Sequence, residues 1–227
     1  MPLFFDLDGT LVNHEKAARI ALDTLTQALF GEGAGCSFDR FEQAVQKAMA
    51  GQESWQFESC GADIISEYFR LGVEAGTPAT ALTNAESQHL FLEYIEAYAC
   101  AWSLYDDVTP CLKALSCLPM GLITNGSRKM QEKKIAKCNL GNLFTPIVIS
   151  QTAGISKPDT GIFKHAENAT QERNNFVYVG DNYELDILPA LKSGWSAIWL
   201  NRECSERRQP ATIYSLDELP ELLSNKF

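Results

Sequence analysis

The sequence contains no apolar run approaching the ~20 residues that a membrane-spanning helix needs. Its N-terminus lacks the basic stretch and cleavage pattern of a signal peptide. A soluble, cytoplasmic protein with no membrane partner is therefore expected. Basic residues are in deficit: 19 Lys and Arg stand against 29 Asp and Glu, a formal charge of −10. That balance argues against a nucleic-acid polymer or an anionic membrane as the main partner. The seven cysteines form no CxxC pair and no Cys/His cluster at zinc spacing. Their odd number, and the apolar surroundings of several of them, point instead to buried free thiols in a reducing compartment. The three histidines, His14, His89 and His165, share no ligand spacing, and surface or helix-cap places are expected for them. Only His14 lies close in sequence to a candidate site. Internal repeats and low-complexity tracts are absent, and residues 14–102 carry no strand signal.

What is present starts at the first residues, Leu3-Phe4-Phe5-Asp6-Leu7-Asp8-Gly9-Thr10-Leu11. The apolar opening reads as a buried parallel strand, and it stops in two carboxylates two residues apart. Alternate side chains of a strand share a face, so Asp6 and Asp8 start on one side. Gly9 permits a sharp turn, and Thr10 can supply a hydroxyl to the loop. The carboxyl end of an α/β strand is where such sheets place ligands.

From there the pattern becomes helical. Helices are predicted over residues 15–31, from Ser37 or Asp39 to 49, over 52–71 and over 81–102, with breaks at Gly33-Ala34-Gly35 and near Pro78. From Tyr105 onward short strands (120–124, 146–150, 176–180, 196–200) alternate with helices (108–116, 127–138, 160–169, 184–193, 215–223). Such alternation implies a parallel sheet covered on both faces, a Rossmann-like doubly wound α/β fold to which the first strand also belongs. The helical block is then an insertion. The expected domains are 1–13 plus 103–227 for the α/β core and 14–102 for the inserted helices. The 227 residues suffice for a domain carrying such an insertion.

Three further loops follow strand ends. Thr124-Asn125-Gly126-Ser127 offers a hydroxyl and backbone N–H groups at a helix start, a seat for phosphate. Lys157-Pro158-Asp159 presents an ammonium that can neutralise a carboxylate or a phosphoryl oxygen, with the proline restricting its direction. Gly180-Asp181-Asn182-Tyr183-Glu184-Leu185-Asp186 brings two more acids across a strand-to-helix turn. Taken singly, each also fits a turn, an exposed lysine or a helix cap. All four in this order, each on the carboxyl side of a βα unit, are far more specific.

Together, FDLDGTL, TNGS, KPD and GDxxxxD resemble motifs I to IV of the haloacid dehalogenase (HAD) superfamily over essentially the whole chain. The helical insertion resembles that superfamily's C1 cap. The resemblance implies a phosphatase acting on a small phosphorylated metabolite, possessing an aspartyl-phosphate intermediate and Mg²⁺. It assigns Asp6 as nucleophile and Asp8 as acid/base. Thr124, Asn125 and Gly126 would bind the phosphoryl group, and Lys157 would stabilise nucleophile and intermediate. Asp6, the Asp8 carbonyl, Asp181 and Asp186 would hold the metal, Asp186 directly or through water. An all-oxygen donor set suits Mg²⁺ independently of the resemblance. The TNGS and GDNxxxD patterns look like the branch with nucleotidases and sugar or organic-acid phosphatases. A phosphomutase or a haloacid dehalogenase would be the alternative on the same scaffold. Asp8 speaks against dehalogenation, because dehalogenases lack the second acid. A monomer or small homo-oligomer is expected.

Elsewhere plainer roles are expected. Trp102, Trp195 and Trp199 read as core anchors, with Trp55 kept as a substrate-side candidate. Lys129, Lys133 and Lys134 read as a solvated helix face, with Arg128 able to assist an anionic substrate. Arg202, Arg207 and Arg208 read as surface loop.

Overall fold

A computed structural model describes residues 1–31, 34, 37–76, 81–172, 174–203 and 211–226. The expected breaks at Gly33, Gly35 and Pro78, together with Arg207, Arg208, Cys36 and Cys204, lie outside the described residues. The chain divides into two compact units, one made of Met1–Asn13 with Ser103–Phe227, the other of His14–Trp102.

In the first unit, β1 (Leu3–Phe5), β2 (Met120–Thr124), β3 (Ile147–Ile149), β4 (Val177–Gly180), β5 (Ser196–Leu200) and β6 (Thr212–Ile213) form one parallel sheet. Its order is β3-β2-β1-β4-β5-β6, the doubly wound arrangement in which the first strand lies at the switch point. Every residue of β1, β2 and β4 is buried, which is why these strands read as continuous apolar runs rather than alternations. Phe5 pairs with Leu122 on one side and Val179 on the other. The acids that follow Phe5 therefore emerge between the ends of β2 and β4.

One face of the sheet packs Phe4, Phe163, Phe176, Tyr178 and Trp195 into a single cluster, with Phe176 and Trp195 stacked at 4.7 Å. Trp102, Trp195 and Trp199 are all buried. Aromatic pairs of this kind add about 1 kcal/mol to their burial.

The first unit's helices begin with Val108–Ala114, followed by Arg128–Lys137 (αR), Ser150–Ala153 and Gly161–Asn168. Leu188–Lys192 and Leu219–Lys226 complete the set. Two features went unread in the sequence. Ser150–Ala153 is helical, because Gly154 closes it in the left-handed region at φ 69°. β6 is only two residues long and pairs at the sheet edge.

Among its described residues the second unit has helices and no strand: His14–Phe30, Phe38–Ala48, Gly61–Glu74 and Asn84–Ala101. Its core is aromatic, with Phe41, Tyr68, Phe91 and Tyr94 buried and Thr26 hydrogen-bonded to the Tyr68 hydroxyl at 2.9 Å. The helix predicted over 52–71 is in fact a 3₁₀ segment, Ser54–Cys60, running into the α-helix Gly61–Glu74. Gly61, at the junction, lets the Phe91 ring pack against the backbone, because a Cβ there would strike it. Cys60 and Cys111 are buried free thiols as expected, whereas Cys100 and Cys117 are exposed. Among the described residues no helix is long and apolar enough to cross a membrane.

Candidate active site

The site grows from the end of β1. Asp6 donates its N–H to Val179 O at 2.9 Å, extending the β1–β4 pairing by one residue and fixing where the side chain leaves the sheet. Leu11 and Val12 then donate back to Leu7 O, so residues 7–12 form one closed turn. Gly9 sits at φ 85°, and any Cβ there would collide with the Asp181 carboxylate. The glycine thus lets Asp181 approach the first loop, where Thr10 Oγ1 donates to Asp181 Oδ1 at 2.9 Å.

Lys157 occupies the centre. Its Nζ lies 2.5 Å from Asp6 Oδ1 and 2.6 Å from Asp186 Oδ1, with the Tyr178 hydroxyl at 3.1 Å. The lysine is aimed by a two-point clasp: Asn125 Nδ2 donates to Lys157 O and Lys157 N donates to Asn125 Oδ1, both at 2.9 Å. The Asn125 side chain therefore ties the second loop to the third, in addition to the phosphoryl-binding role that the resemblance implies for this residue. The Tyr178 hydroxyl donates to Ile123 O at 3.1 Å and completes the buried network.

The fourth loop owes its shape to an unusual turn. Tyr183–Ile187 is a π-helical turn, capped by Asn182 Oδ1, which accepts from Glu184 N and Leu185 N. On this turn Asp186 points back into the site, where its Oδ2 accepts from Asn182 N at 3.0 Å. Gly180 has no side chain because a Cβ there would strike Asp186. Trp199 Nε1 donates to Asp181 O at 2.7 Å and holds the strand end.

Carboxylate oxygens of Asp6, Asp181 and Asp186 lie within 4.8 Å of one another. One ammonium among three acids leaves a surplus of negative charge. Burial, then the neighbouring Asp186 charge, pushes the Asp181 carboxyl up to about 7, against the pull of Thr10 and Lys157. Burial likewise drives Asp6 well above the ordinary carboxylate range, with Asp186 and Asp181 adding to the rise and Lys157 opposing it. Burial works against the Lys157 ammonium, yet Asp186 and Asp6 outweigh it and hold the lysine charged. The donor set is all oxygen and short of positive charge, so it fits a hard divalent cation.

Beside this cluster Thr124 ends β2, fully buried. The Gly126 N–H donates to Ser150 Oγ at 2.9 Å, so that group is already engaged. Ser127 caps the next helix through Met130 N. All of the expected site residues, Asp6, Asp8, Thr124, Asn125, Gly126, Lys157, Asp181 and Asp186, thus lie at the carboxyl ends of strands or in the segments that follow them.

Sequence reasoning missed four contributors. Tyr178 faces inward from β4. Gln131 and Lys134 are not solvated: both are buried, and Lys134 Nζ lies 2.6 and 2.8 Å from the two Asp8 oxygens. The inner face of αR should have betrayed them, since Gln131, Lys134, Ile135 and Cys138 follow helical spacing and two of the four are polar. Arg202 is not a free loop residue either. It stacks on Tyr105 at 3.8 Å, pairs with Asp107, and donates to Gly9 O and Thr10 O. Lys129, Lys133, His89 and His165 are exposed, as is Arg128, which pairs with Glu132. In the helical unit, His14 opens the first helix and Trp55 is half-buried.

A family model described as haloacid dehalogenase-like hydrolase matches residues 3–194. Over 239 residues the chain is 27% identical to the N-acylneuraminate-9-phosphatase of Mus musculus, covering 98% of this chain and 93% of that one. It is 36% identical over 110 residues to the pyrimidine 5'-nucleotidase YjjG of Escherichia coli (strain K12), a match spanning 46% of this chain and about half (49%) of that enzyme's length. In structure it is similar to the magnesium-bound HAD-hydrolase YfnB from Bacillus subtilis, with TM-score 0.75 at 19% identity, covering 98% of this chain and 97% of that one.

Proposed function

The chain belongs to the haloacid dehalogenase-like hydrolase family, and from that premise we propose that it is a Mg²⁺-dependent phosphatase hydrolysing a small phosphomonoester through a phosphorylated Asp6. The observation that carries this reading is the Lys157 ammonium set between Asp6 and Asp186, with the Asp181 oxygen in the same cluster. A buried carboxylate held by a lysine beside a cation site is what a nucleophile for an anionic phosphate requires.

An Asp6 oxygen attacks phosphorus and forms a new O–P bond as the ester P–O bond breaks. The bonding pair leaves with the ester oxygen, which takes a proton from Asp8. Water then attacks the phosphorus of the aspartyl-phosphate and passes a proton to Asp8. Inorganic phosphate departs and the Asp6 carboxylate is restored. The Thr124 hydroxyl and the Asn125 N–H seat the transferring group, and Gly126 shapes that loop. Lys157 neutralises charge on nucleophile and phosphoryl oxygen.

Asp6, Asp181 and the Asp8 carbonyl would hold Mg²⁺, with Asp186 direct or through water. The ion supplies charge compensation and orientation of phosphoryl oxygens. The names of the relatives favour a nucleoside monophosphate or a sugar-acid phosphate as substrate. The test is hydrolysis of p-nitrophenyl phosphate with and without Mg²⁺, followed by a screen of phosphate esters. Activity is expected only with the ion, and Asp6→Asn is expected to lower it by about 10⁴-fold or more. Turnover surviving in Asp6→Asn would overturn the reading.

A further inference from the structure

We propose that Gln131 and Lys134, on the helix αR, are positioning residues for phosphoryl transfer: they brace the Asp8 carboxylate and orient the Thr124 hydroxyl. The inference rests on the phosphatase reading and deepens it.

The geometry is a single connected bracket. Gln131 Nε2 lies 2.6 Å from Thr124 Oγ1, 2.9 Å from Asp8 Oδ2 and 3.0 Å from Asn125 O. Its Oε1 accepts from Lys134 Nζ at 3.1 Å. Three acceptors on one end and an ammonium on the other fix which end of the amide is which. Lys134 Nζ contacts both Asp8 oxygens. Both bracing side chains are only 2% exposed, whereas the Asp8 side chain is 26% exposed. The bracket is therefore buried, while the carboxylate it holds keeps part of its surface exposed.

Two consequences follow. An amide N–H can only donate, so Thr124 Oγ1 accepts from Gln131 and must direct its own hydrogen elsewhere. Its partner here is Asn125 O at a long 3.4 Å, a weak bond that a phosphoryl oxygen would readily replace. Gln131 thus prepares Thr124 as a donor to the transferring group. Asp8, for its part, must serve two opposite proton transfers from one place, and a part-exposed carboxylate left unbraced would spread over several rotamers. Gly126 completes the fit, because a Cβ at that position would press on the Gln131 side chain at 3.1–3.4 Å.

Leaving-group dependence separates positioning from mere structural support. p-Nitrophenolate departs with little need of a proton, whereas phenolate needs one. In Lys134→Met, kcat/KM for phenyl phosphate is expected to fall about tenfold or more beyond its fall for p-nitrophenyl phosphate. Lys134→Arg, which keeps a cation at Asp8, is expected to recover most of the difference. In Gln131→Leu both substrates are expected to fall, with a raised KM from the disoriented Thr124. If Lys134→Met melts below the assay temperature, Lys134→Gln carries the same comparison. In Lys134→Met, or in Lys134→Gln where that carries the comparison, an equal loss on both substrates or no loss on either overturns the proposal, and so does an unchanged KM in Gln131→Leu. Wild-type protein inactive on both esters with Mg²⁺ overturns the phosphatase reading itself, and this inference with it.

Discussion

Lys157 is a buried cation touching two buried acids. Removing one member of such a group strands the others without compensation, at a cost of about 3–5 kcal/mol. Lys157→Met is therefore expected to lower the urea midpoint and the melting temperature as well as to abolish turnover; a variant as stable as wild type would show that the acids find other partners. In the sequence, the lysine's importance was legible only from its company. KPD alone fits an exposed loop, and the clasp from Asn125 that aims the side chain is a contact between residues 32 apart. The Asp6 and Asp8 pair was legible at once, because strand periodicity and a following glycine locate it. What Asp8 touches was not: its partners Gln131 and Lys134 are 123 and 126 residues away. A lysine in a run of lysines reads as solvent-facing unless the helical face is worked out position by position.

At the scale of elements, the first loop is held from outside by the segment after β5. Arg202 donates to Gly9 O and Thr10 O while both its ends pair with Asp107, which also accepts from Ser215 Oγ and Leu216 N. Burial works to raise the Asp107 carboxyl, but Arg202, the Leu216 N–H and the Ser215 hydroxyl outweigh it and hold it below the ordinary range. A carboxyl depressed on folding stabilises the protein above its unfolded pKa, and that contribution fades as pH falls through the folded value. Arg202→Ala is expected to cost about 1 kcal/mol at neutral pH, with solvent screening discounted. The gap should narrow below roughly pH 4. Urea unfolding of both proteins across that range checks it, and a pH-independent gap would assign the loss to packing on Tyr105 instead. Most elements could be read from periodicity and turn residues. The π turn after β4 could not, since its sequence YELDI carries no signal distinguishing it from an α-helical start, yet it is what returns Asp186 to the site.

At the scale of the whole molecule, alternation of short strands with helices made the parallel sheet legible, and the absence of strand signals over 14–102 marked the inserted helices. The sheet order, and hence the place of β1 between β2 and β4, is a matter of long-range pairing that local pattern does not encode. The net charge of −10 adds a further expectation. An anionic ester approaches against the protein's own field, so added salt should raise kcat/KM at fixed Mg²⁺ by screening that repulsion; a fall would mean that local cations near the site dominate. The central claim concerns the division of labour between the two acids of the first loop, and it is tested most directly in Asp8→Asn. With p-nitrophenyl phosphate the first step needs little acid help, but hydrolysis of the intermediate lacks its base. Rapid mixing with Mg²⁺, followed by acid quench and peptide mass spectrometry, is expected to show a burst of about one p-nitrophenolate per enzyme and a phosphoryl group on the Asp6 peptide. Slow turnover with no burst and an unmodified Asp6 would contradict the account.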